Sequence, residues 1–392
     1  MTSTPLPDSP SRALPHVFDP EFDDRYERLL LGREPVEIHQ PDLAQVVGGR
    51  TVLVTGAGGS IGSRLSLLLA RLAPARLVLL DSSEHNLFTI NEILRQHAPA
   101  TQRTLALCDV RDAVTLERWF TRTQPDFVFH AAALKHVPLL EDQVEEAVLT
   151  NVLGTLNVAR LARSHGVRVA VLLSSDKAVN PVSVMGATKR CAELLFQAFA
   201  GEGAPGDPRY ISVRFGNVLG STGSVVPLFE RQIAEGGPVT VTHPEMTRYF
   251  MTIGEAVQLI VQAASHVLDR EPGGSGVLVL DMGAPVRIVD LAERMIRLHG
   301  KTPGADVEVR FVGLRPGERL HETLAFEQED LTPMAIPKVL STGGQSAPMA
   351  ATLAAIKDLV GAARDGRAED VLTRLQRLVP EFESVPRPAS AA

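Results

Sequence analysis

A short polar run, Ser174-Ser-Asp-Lys, carries a hydroxyl, a carboxyl and an amine on neighbouring residues directly after an apolar segment. A carboxyl and an amine placed side by side can pass protons to and from a bound molecule, as a general acid and a general base do. The carboxyl edge of a parallel sheet, where this run is predicted to lie, is the edge at which ligands bind. Asp176 and Lys177 are therefore candidate catalytic residues. The alternative is a strand-end turn with an Asx cap and a solvated lysine.

A glycine-rich turn predicts a second site. Gly56-Ala-Gly-Gly-Ser-Ile-Gly62 places glycines in a GxxGxxG arrangement between a predicted strand and a predicted helix. Glycines allow a tight turn and close approach of the backbone to a pyrophosphate, whose charge meets the free N–H groups and the dipole at the helix start. The turn can also serve only to pack the helix on the strand. The candidate cofactor-binding residues in this turn are Gly56, Gly58, Gly59, Ser60, Ile61 and Gly62.

The ends of the next strands supply further candidates. Asp81 ends the second predicted strand, where a carboxylate accepts hydrogen bonds from the adenosine ribose hydroxyls and repels a 2′-phosphate, so that NAD is predicted rather than NADP. Asp81 can also cap the following helix, and the two roles can coexist. An acidic residue after the third strand is placed to hold the adenine amino group, and small residues after the fourth leave room for the cofactor. The remaining cofactor-binding candidates are Ser82, Asp109, Val110, Ala131 and Ala132.

These residues need a scaffold to position them, and the apolar pattern predicts one. Short strands are expected at 51–54, 76–80, 104–107, 127–130, 167–173 and 210–214, with helix-length segments between them, the first at about 61–72. Such alternation is typical of an α/β fold with a doubly wound parallel sheet, the Rossmann arrangement.

The chain is predicted to have four parts. Residues 1–46 form an N-terminal extension, in which the first 17 or so residues contain four prolines and are expected to be disordered, while the apolar residues from 18 to 47 could form a partner-binding arm. Residues 47–235 form the NAD-binding Rossmann domain. Residues 236–345 are mainly a smaller α/β substrate-binding region, because proline, glycine and threonine become frequent there. Residues 346–392 are expected to be C-terminal helices.

Composition excludes several classes of protein. The chain has 392 residues, 44% of them hydrophobic, and a net charge of -7, so it has no general attraction for nucleic acid or anionic lipid. Its two cysteines, Cys108 and Cys191, are too few for a disulfide framework and lack the paired spacing of a zinc site, and no metal is expected. No apolar run reaches the roughly 18 residues of a membrane span, so we expect a soluble, cytoplasmic protein.

Taken together, the motifs resemble the extended short-chain dehydrogenase/reductase family. The resemblance rests on the GxxGxxG spacing, Asp109-Val110, His130-Ala-Ala-Ala and Asn151, and it covers residues from about 47 to 327. It implies a Rossmann fold, bound NAD and a nucleotide-sugar substrate. The segment 30–36 also looks like the one that precedes the catalytic domain in membrane-anchored members, and this chain is expected to lack the anchor.

In this family a Ser or Thr precedes a Tyr-x-x-x-Lys pair, whose lysine lowers the tyrosine pKa and binds the nicotinamide ribose. Here the lysine is Lys189, and Met185 occupies the tyrosine position. A thioether cannot accept a proton, so the usual base is absent, which argues against a plain 4-epimerase or reductase. The Asp-Lys pair, the Asn180-Pro turn and Met185 resemble the UDP-N-acetylglucosamine 4,6-dehydratases of polysaccharide biosynthesis.

The resemblance to dehydratases assigns roles to the polar run. Dehydration by this route moves a hydride from C4 of the sugar to NAD and back to C6, and it needs an acid for the departing C6 hydroxyl and a base at C5. Asp176 is expected to be the acid if burial raises its pKa, and Lys177 the base if burial or a neighbouring cation keeps part of it neutral. Ser175 is expected to hydrogen-bond the C4 oxygen. The group that removes the C4 proton stays open among Asp176, Lys177 and a water relayed to Lys189.

The resemblance also implies residues at the sugar-nucleotide end. Asn217, in Arg214-Phe-Gly-Asn-Val-Leu-Gly, looks like the family asparagine that touches the substrate phosphates. Arg248 and Arg315 resemble the pyrophosphate-binding arginines of the family, and guanidinium groups suit a diphosphate. The other substrate-binding candidates are Glu318 for the uridine ribose, and Lys135 and His136 for the sugar.

The leading interpretation is a C5-retaining UDP-N-acetylglucosamine 4,6-dehydratase that yields a UDP-4-keto-6-deoxy-N-acetylhexosamine. The alternatives are a C5-inverting dehydratase, a UDP-sugar 4-epimerase and a tailoring enzyme for another UDP-sugar. A non-catalytic NAD-binding sensor is the alternative of a different class, and it would be expected to have lost Asp176 and Lys177. Family members tend to pair through two helices, so a homodimer or higher homo-oligomer is expected.

Overall fold

The computed structural model describes residues 29–33, 40–268, 276–343 and 347–383. The disorder predicted for the first 17 or so residues lies outside the described residues. The strands, in chain order, are β1 Thr51–Thr55, β2 Arg76–Asp81, β3 Arg103–Leu107, β4 Phe127–His130, β5 Val169–Leu173, β6 Arg209–Arg214, β7 Asn217–Val218, β8 Val239–Val241, β9 Thr247–Arg248, β10 Phe250–Met251, β11 Gly276–Leu280, β12 Val286–Arg287, β13 Val309–Phe311, β14 Thr332–Pro333 and β15 Val339–Ser341.

Helices connect most of these strands, as the predicted alternation requires. They are α1 Gln40–Val47, α2 Ser60–Arg71, α3 Glu84–His97, α4 Ala113–Thr123, α5 Val137–Asp142, α6 Val144–Val148, α7 Gly154–Ser164, α8 Val184–Gly201, α9 Val225–Ala234, α10 Ile253–Leu268, α11 Ile288–Leu298, α12 Met349–Arg364 and α13 Ala368–Leu378. A π-helical turn, Leu149–Leu153, joins α6 to α7, and a 3₁₀ turn, Asp176–Ala178, follows β5.

The main sheet contains nine of the described strands in the order β14-β15-β11-β6-β5-β4-β1-β2-β3. Strands β1 to β6 and β11 pair in parallel, whereas β15 pairs antiparallel with both β11 and β14. The order 3-2-1-4-5-6 is that of a doubly wound dinucleotide-binding sheet. The predicted fold class is therefore confirmed, and all six predicted strands are present with bounds shifted by two residues or less.

Apolar side chains cover both faces of this sheet, because parallel strands are buried on each side. One face packs against α7, α8, α12 and α13, and the other packs against α1, α2, α3 and α10. All five residues of β5 are buried. The residues that follow β5 therefore leave a rigid strand in the middle of the sheet.

A third apolar cluster forms a smaller layer beside the main sheet. It joins α9 and α11 with the short strands around residues 239–251. The range predicted as the substrate-binding region, 236–345, is divided between the two layers. Strands β11 and β15 belong to the main sheet, and α10 packs on one face of that sheet. Parallel pairing of β13 with β8 holds the smaller layer together.

The described part of the N-terminal extension packs on this smaller layer. Leu30 and Leu31 are buried in the third cluster, and Arg33 forms an ion pair of 3.0 Å with Glu255 at the start of α10. Within the described residues, no helix combines the length and the apolar character that a membrane crossing requires.

Candidate active site

The glycine turn between β1 and α2 lies directly against the segment after β4. Gly56 has a φ of +64°, and a Cβ there would lie 2.8 Å from Ala132 Cα. A Cβ at Gly62 would lie 1.9 Å from the carbonyl oxygen of Gly56, so both positions exclude larger residues. The turn leaves backbone N–H groups at the start of α2, as an anion site requires.

Asp81 ends β2 and fixes the shape of this turn. Its carboxylate accepts hydrogen bonds of 3.0 Å from the backbone N–H groups of Gly58 and Ser83, and one of 3.4 Å from Asn86 Nδ2. Ser83, rather than Asp81, caps α3 through its hydroxyl. A carboxylate has about four acceptor positions, so Asp81 can hold the turn and still receive a ribose hydroxyl.

A cleft of about 320 Å³ opens between the glycine turn and the ends of β2, β3 and β4. Eight predicted cofactor-binding residues line it, namely Gly56, Gly59, Asp81, Ser82, Asp109, Val110, Ala131 and Ala132. The cleft also contains residues that the sequence interpretation missed, including Asn86, Arg111 and Glu146. No motif marks Arg111, although its position two residues after Asp109 is a signal that could have been used.

Arg111 lies at one side of the cleft, where it forms ion pairs with two carboxylates. Its guanidinium lies 2.6 Å from Asp109 Oδ2 and 2.7 Å from Glu146 Oε2. Burial acts to raise the pKa of Asp109, but the hydrogen bonds from Arg111 outweigh it and hold the pKa below its usual value. Asp109 is therefore an ionised acceptor at the position predicted for the adenine amino group.

The Ser175-Asp176-Lys177 run forms a compact hydrogen-bonded group after β5. Asp176 is fully buried, and its Oδ1 accepts from Ser175 Oγ at 2.9 Å and from Lys177 Nζ at 3.0 Å. Its Oδ2 is also buried and has no hydrogen-bond partner among the described residues. The 3₁₀ turn is capped by Ser175 Oγ, which accepts from Lys177 N, and Asp176 N donates to the Phe215 carbonyl. The Asx-cap alternative is thus wrong, because a serine caps the turn and the lysine is paired.

Two residues far away in the sequence complete the surroundings of Lys177. Asn217 Oδ1, on β7, accepts from Lys177 Nζ at 3.1 Å. Glu322 Oε1 lies 3.8 Å from the same Nζ. The predicted site residue Asn217 therefore contacts the Asp176-Lys177 pair, the predicted catalytic pair, whereas Glu322 was missed. The signal for Glu322 was present in Arg315-Pro-Gly-Glu-Arg-Leu-His-Glu, where a second carboxylate follows Glu318.

The charge state of Lys177 differs from the expected one. Burial acts to lower the pKa of Lys177, and Arg248 does too, but Asp176 and Glu322 outweigh them and raise the pKa above its usual value. The expectation that part of Lys177 is neutral is therefore wrong for the protein without substrate. The raised pKa favours the protonated form of Lys177.

Met185 and Lys189 lie one turn apart on α8, and both are buried. Lys189 Nζ donates to the Leu173 carbonyl at 3.0 Å. Burial lowers the pKa of Lys189 to about 8, although Glu193 opposes this shift. Ser174 Oγ donates to Glu193 at 2.7 Å, so this hydroxyl is committed to the core and Ser175 is the serine beside the catalytic pair.

Arg248 has partners other than the predicted diphosphate. Its guanidinium donates to the carbonyl oxygens of Thr247, Leu320 and Arg319 at 2.7, 3.1 and 2.7 Å, and its Nε lies 3.8 Å from Glu322. Three of its five N–H donors are thus used by the backbone. Arg248 therefore supports the segment that carries Glu322, and its contact with the substrate diphosphate stays a prediction.

The other predicted substrate residues lie on exposed segments. Arg315 is exposed, and its backbone N–H donates to Glu318 Oε2 at 3.0 Å. Arg319 donates to the carbonyl oxygens of Val179 and Asn180, which ties this segment to the loop after the 3₁₀ turn. These contacts bring the segment to the catalytic pair while leaving the Arg315 guanidinium toward solvent.

A loop at residues 220–224, here called the bridging loop, connects the glycine turn to His136. Ser60 Oγ accepts from Thr222 N at 3.1 Å. A Cβ at Gly223 would lie 2.4 Å from His136 Cε1. Desolvation, followed by the charge of Lys135, lowers the pKa of His136, so His136 is neutral near pH 7. The bridging loop therefore borders both predicted ligand sites.

Strand order, glycine turn and the lysine on α8 together define an extended short-chain dehydrogenase/reductase. Residues 52–343 match the family described as polysaccharide biosynthesis protein, and the chain belongs to that family. The fold agrees with the X-ray structure of Pen from Bacillus thuringiensis, with a TM-score of 0.69 and 31% identity over 78% of this chain and 91% of that one.

Three curated relatives are similar over most of this chain. The capsular polysaccharide biosynthesis protein CapD of Staphylococcus aureus is 46% identical over 76% of this chain, which spans only 49% of CapD. The UDP-glucose 4-epimerase of Rickettsia typhi is 33% identical over 71% of this chain and 79% of that protein. The inverting UDP-N-acetylglucosamine 4,6-dehydratase of Campylobacter jejuni is 32% identical over 70% of this chain and 77% of that protein.

Proposed function

We propose that this protein is an NAD-dependent UDP-N-acetylglucosamine 4,6-dehydratase that retains the configuration at C5. The observation that carries the proposal is the state of Asp176. This carboxylate is fully buried, one oxygen is bonded to Ser175 and Lys177, and the other has no hydrogen-bond partner in the part of the chain that the structure describes. A buried oxygen without a partner costs free energy, and a hydroxyl group of a bound ligand would satisfy it. A sugar supplies such hydroxyls.

The cofactor site supports NAD. The glycine positions that cannot accept a Cβ, the Asp81 side chain that holds the turn, and the cleft beside it fit a dinucleotide. The residues that would hold it are the glycine turn with Ser60 and Ile61, together with Asp81, Asp109 and Lys189. When bound, NAD supplies a hydride acceptor and donor, so that dehydration proceeds without net oxidation.

The catalytic pair supplies the proton transfers. The raised pKa of Lys177 favours its protonated form, so we assign the initial proton donor to Lys177 and the initial acceptor to Asp176. Proton exchange between the two over 3.0 Å lets the pair act first at C5 and then at the departing C6 hydroxyl. Ser175 Oγ donates to the same carboxylate oxygen as Lys177 Nζ does, and we assign it the hydrogen bond to the C4 oxygen.

A UDP-sugar 4-epimerase is the second candidate, because the Rickettsia relative is as similar as the Campylobacter one. Epimerisation needs a proton acceptor for the C4 hydroxyl, which the family places at the position of Met185. Met185 is 3% exposed and offers a thioether there. Oxidation at C4 begins both reactions, so the missing tyrosine alone does not separate them. The Asp176-Lys177 pair favours dehydration, because only dehydration also needs a base at C5 and an acid at the C6 hydroxyl.

The test is incubation of the purified full chain with UDP-N-acetylglucosamine and NAD in heavy water. Loss of 18 mass units as water, with one deuterium at C5, is expected, and proton NMR of the product reports whether the C5 configuration is retained or inverted. An unchanged formula with altered C4 configuration would assign epimerisation. Tight NAD binding without any turnover of UDP-sugars would favour the sensor.

A further inference from the structure

Glu322 is a buried carboxylate between two cations. Its side chain is 6% exposed, and Oε1 lies 3.8 Å from Lys177 Nζ and 3.8 Å from Arg248 Nε. Buried carboxylates are costly unless they are paired, and a position shared by two cations offsets that cost. The same carboxylate is therefore one of only a few charges that face the catalytic lysine.

The position of Glu322 is fixed through the backbone on either side of it. Arg248 bonds to the carbonyl oxygens of Arg319 and Leu320, and Arg319 in turn bonds to those of Val179 and Asn180. The segment 319–322 is thereby attached to β9 and to the loop after the catalytic turn. A carboxylate held on such a support does not need to move to reach Lys177.

The charges that face Lys177 are Asp176, Glu322 and Arg248. Asp176 alone cannot keep Lys177 protonated throughout the reaction. In the proposed function Asp176 also accepts a proton, and it then loses its charge. When Asp176 takes up a proton, Glu322 is the negative charge that remains near Nζ among the described residues. A second, non-reacting carboxylate would keep the lysine attracted to its place at that moment.

We propose that Glu322 is a positioning residue for the catalytic pair: it keeps Lys177 charged and directed at Asp176 and Asn217, and it does so without contacting the sugar. The inference rests on the proposed function for its role in turnover. The effect on Lys177 itself does not depend on the reaction that the site performs.

The experiment compares Glu322→Gln with Glu322→Asp and with Glu327→Gln as a matched control, since Glu327 is exposed five residues further along the same segment. The reactivity of Lys177 toward acetic anhydride is followed against pH, with the labelled peptide quantified by mass spectrometry. Loss of an opposite charge at this distance shifts a pKa by about one unit or more, so labelling below the pKa is expected to rise roughly tenfold in Glu322→Gln. Glu322→Asp and Glu327→Gln are expected to label like the unmodified protein.

Product formation against pH gives the second readout. The limb of the profile that reports Lys177 is expected to move to lower pH in Glu322→Gln and to return toward the original position in Glu322→Asp. Glu322→Gln protein that keeps its circular dichroism spectrum yet labels at Lys177 like the control would overturn the proposal. If Glu322→Gln does not fold, the labelling of Lys177 in Glu322→Asp is the deciding measurement. Aspartate keeps the charge but shortens the side chain, so a role that does not depend on charge predicts altered labelling in this variant too. Absence of product in the unmodified protein would instead count against the proposed function, since labelling needs no turnover.

Discussion

Lys189 Nζ donates a hydrogen bond to the Leu173 carbonyl oxygen at 3.0 Å, at the point where β5 ends beside the catalytic turn. Burial lowers the pKa of Lys189 to about 8. In the unfolded chain the pKa is near its usual value of about 10.4, so the unfolded state binds more protons between these two values. The free energy of unfolding is therefore expected to rise as the pH increases from about 8 to about 10, and the full cost of the buried charge is present below pH 8.

Replacement of this lysine tests that expectation. Lys189→Met removes the titrating group, so its stability relative to the unmodified protein should be highest near pH 7 and fall by about 3 kcal/mol as the pH reaches about 10. Urea unfolding at several pH values measures the difference. Lys357→Met, at an exposed position on α12, is the control for loss of a surface lysine. Equal pH dependence of the two variants would contradict the burial argument.

Asp176→Asn is expected to abolish most of the dehydration. The amide keeps the shape of the carboxylate but cannot accept the proton, so product formation should fall by roughly 100- to 10 000-fold while the fold is retained. Asp112→Asn is a matched control, because Asp112 caps α4 and has no proposed part in proton transfer. It should keep its activity and nearly all of its stability, because asparagine caps a helix about as well as aspartate does. Activity of Asp176→Asn within threefold of the unmodified protein would refute the assignment.

Gly56→Ala is expected to impair NAD binding. The new Cβ would meet Ala132 at 2.8 Å and would also require a left-handed backbone, with φ of +64°. Gly166→Ala separates these effects, since Gly166 has a φ of +66° with nothing within 4 Å of the new Cβ. Both variants should lose about 1 kcal/mol of stability, because alanine is strained in a left-handed backbone. Only Gly56→Ala should also bind NAD at least tenfold more weakly, as measured by calorimetry. Equal affinities in the two variants would count against the cofactor site.

Gly223→Ala tests the bridging loop. Its Cβ would lie 2.4 Å from His136 Cε1, so either the loop or the imidazole must move. We expect KM for the UDP-sugar to rise several-fold, because His136 borders the proposed sugar site. Gly206→Ala, with a φ of +95° and nothing within 4 Å, is the control for backbone strain alone. If both variants show the same KM, the bridging loop does not shape the sugar site.

The sequence was sufficient for the sheet because apolar strands and helices alternate regularly up to residue 214. It was not sufficient for β11 and β15, which join the sheet after long excursions through the smaller layer. Their pairing depends on contacts between distant parts of the chain, and a short apolar run does not show whether its neighbours are parallel or antiparallel.

The residues of the candidate site were also predicted only in part. The glycine turn, Asp81 and the Asp176-Lys177 pair were predicted because each belongs to a local motif that follows a strand. The partners of Arg248 were not, because they are backbone carbonyl groups about seventy residues away that no side chain reveals. The raised pKa of Lys177 was not predicted either, because the sequence does not show how burial is balanced by Asp176 and Glu322, and only the folded chain brings Glu322 within 3.8 Å.

The division of residues 219–311 between layers has a consequence for recombination between relatives. The chain enters the third cluster near Leu219, returns to the main sheet for α10 and β11, enters the cluster again at Ile288 and leaves it for β15. A hybrid of two relatives with a single crossover between α9 and α11 would take these two helices from different parents. The two helices pack together, so their contact would be mismatched. Exchange of sugar specificity between parents therefore calls for two inserted segments transferred as a unit.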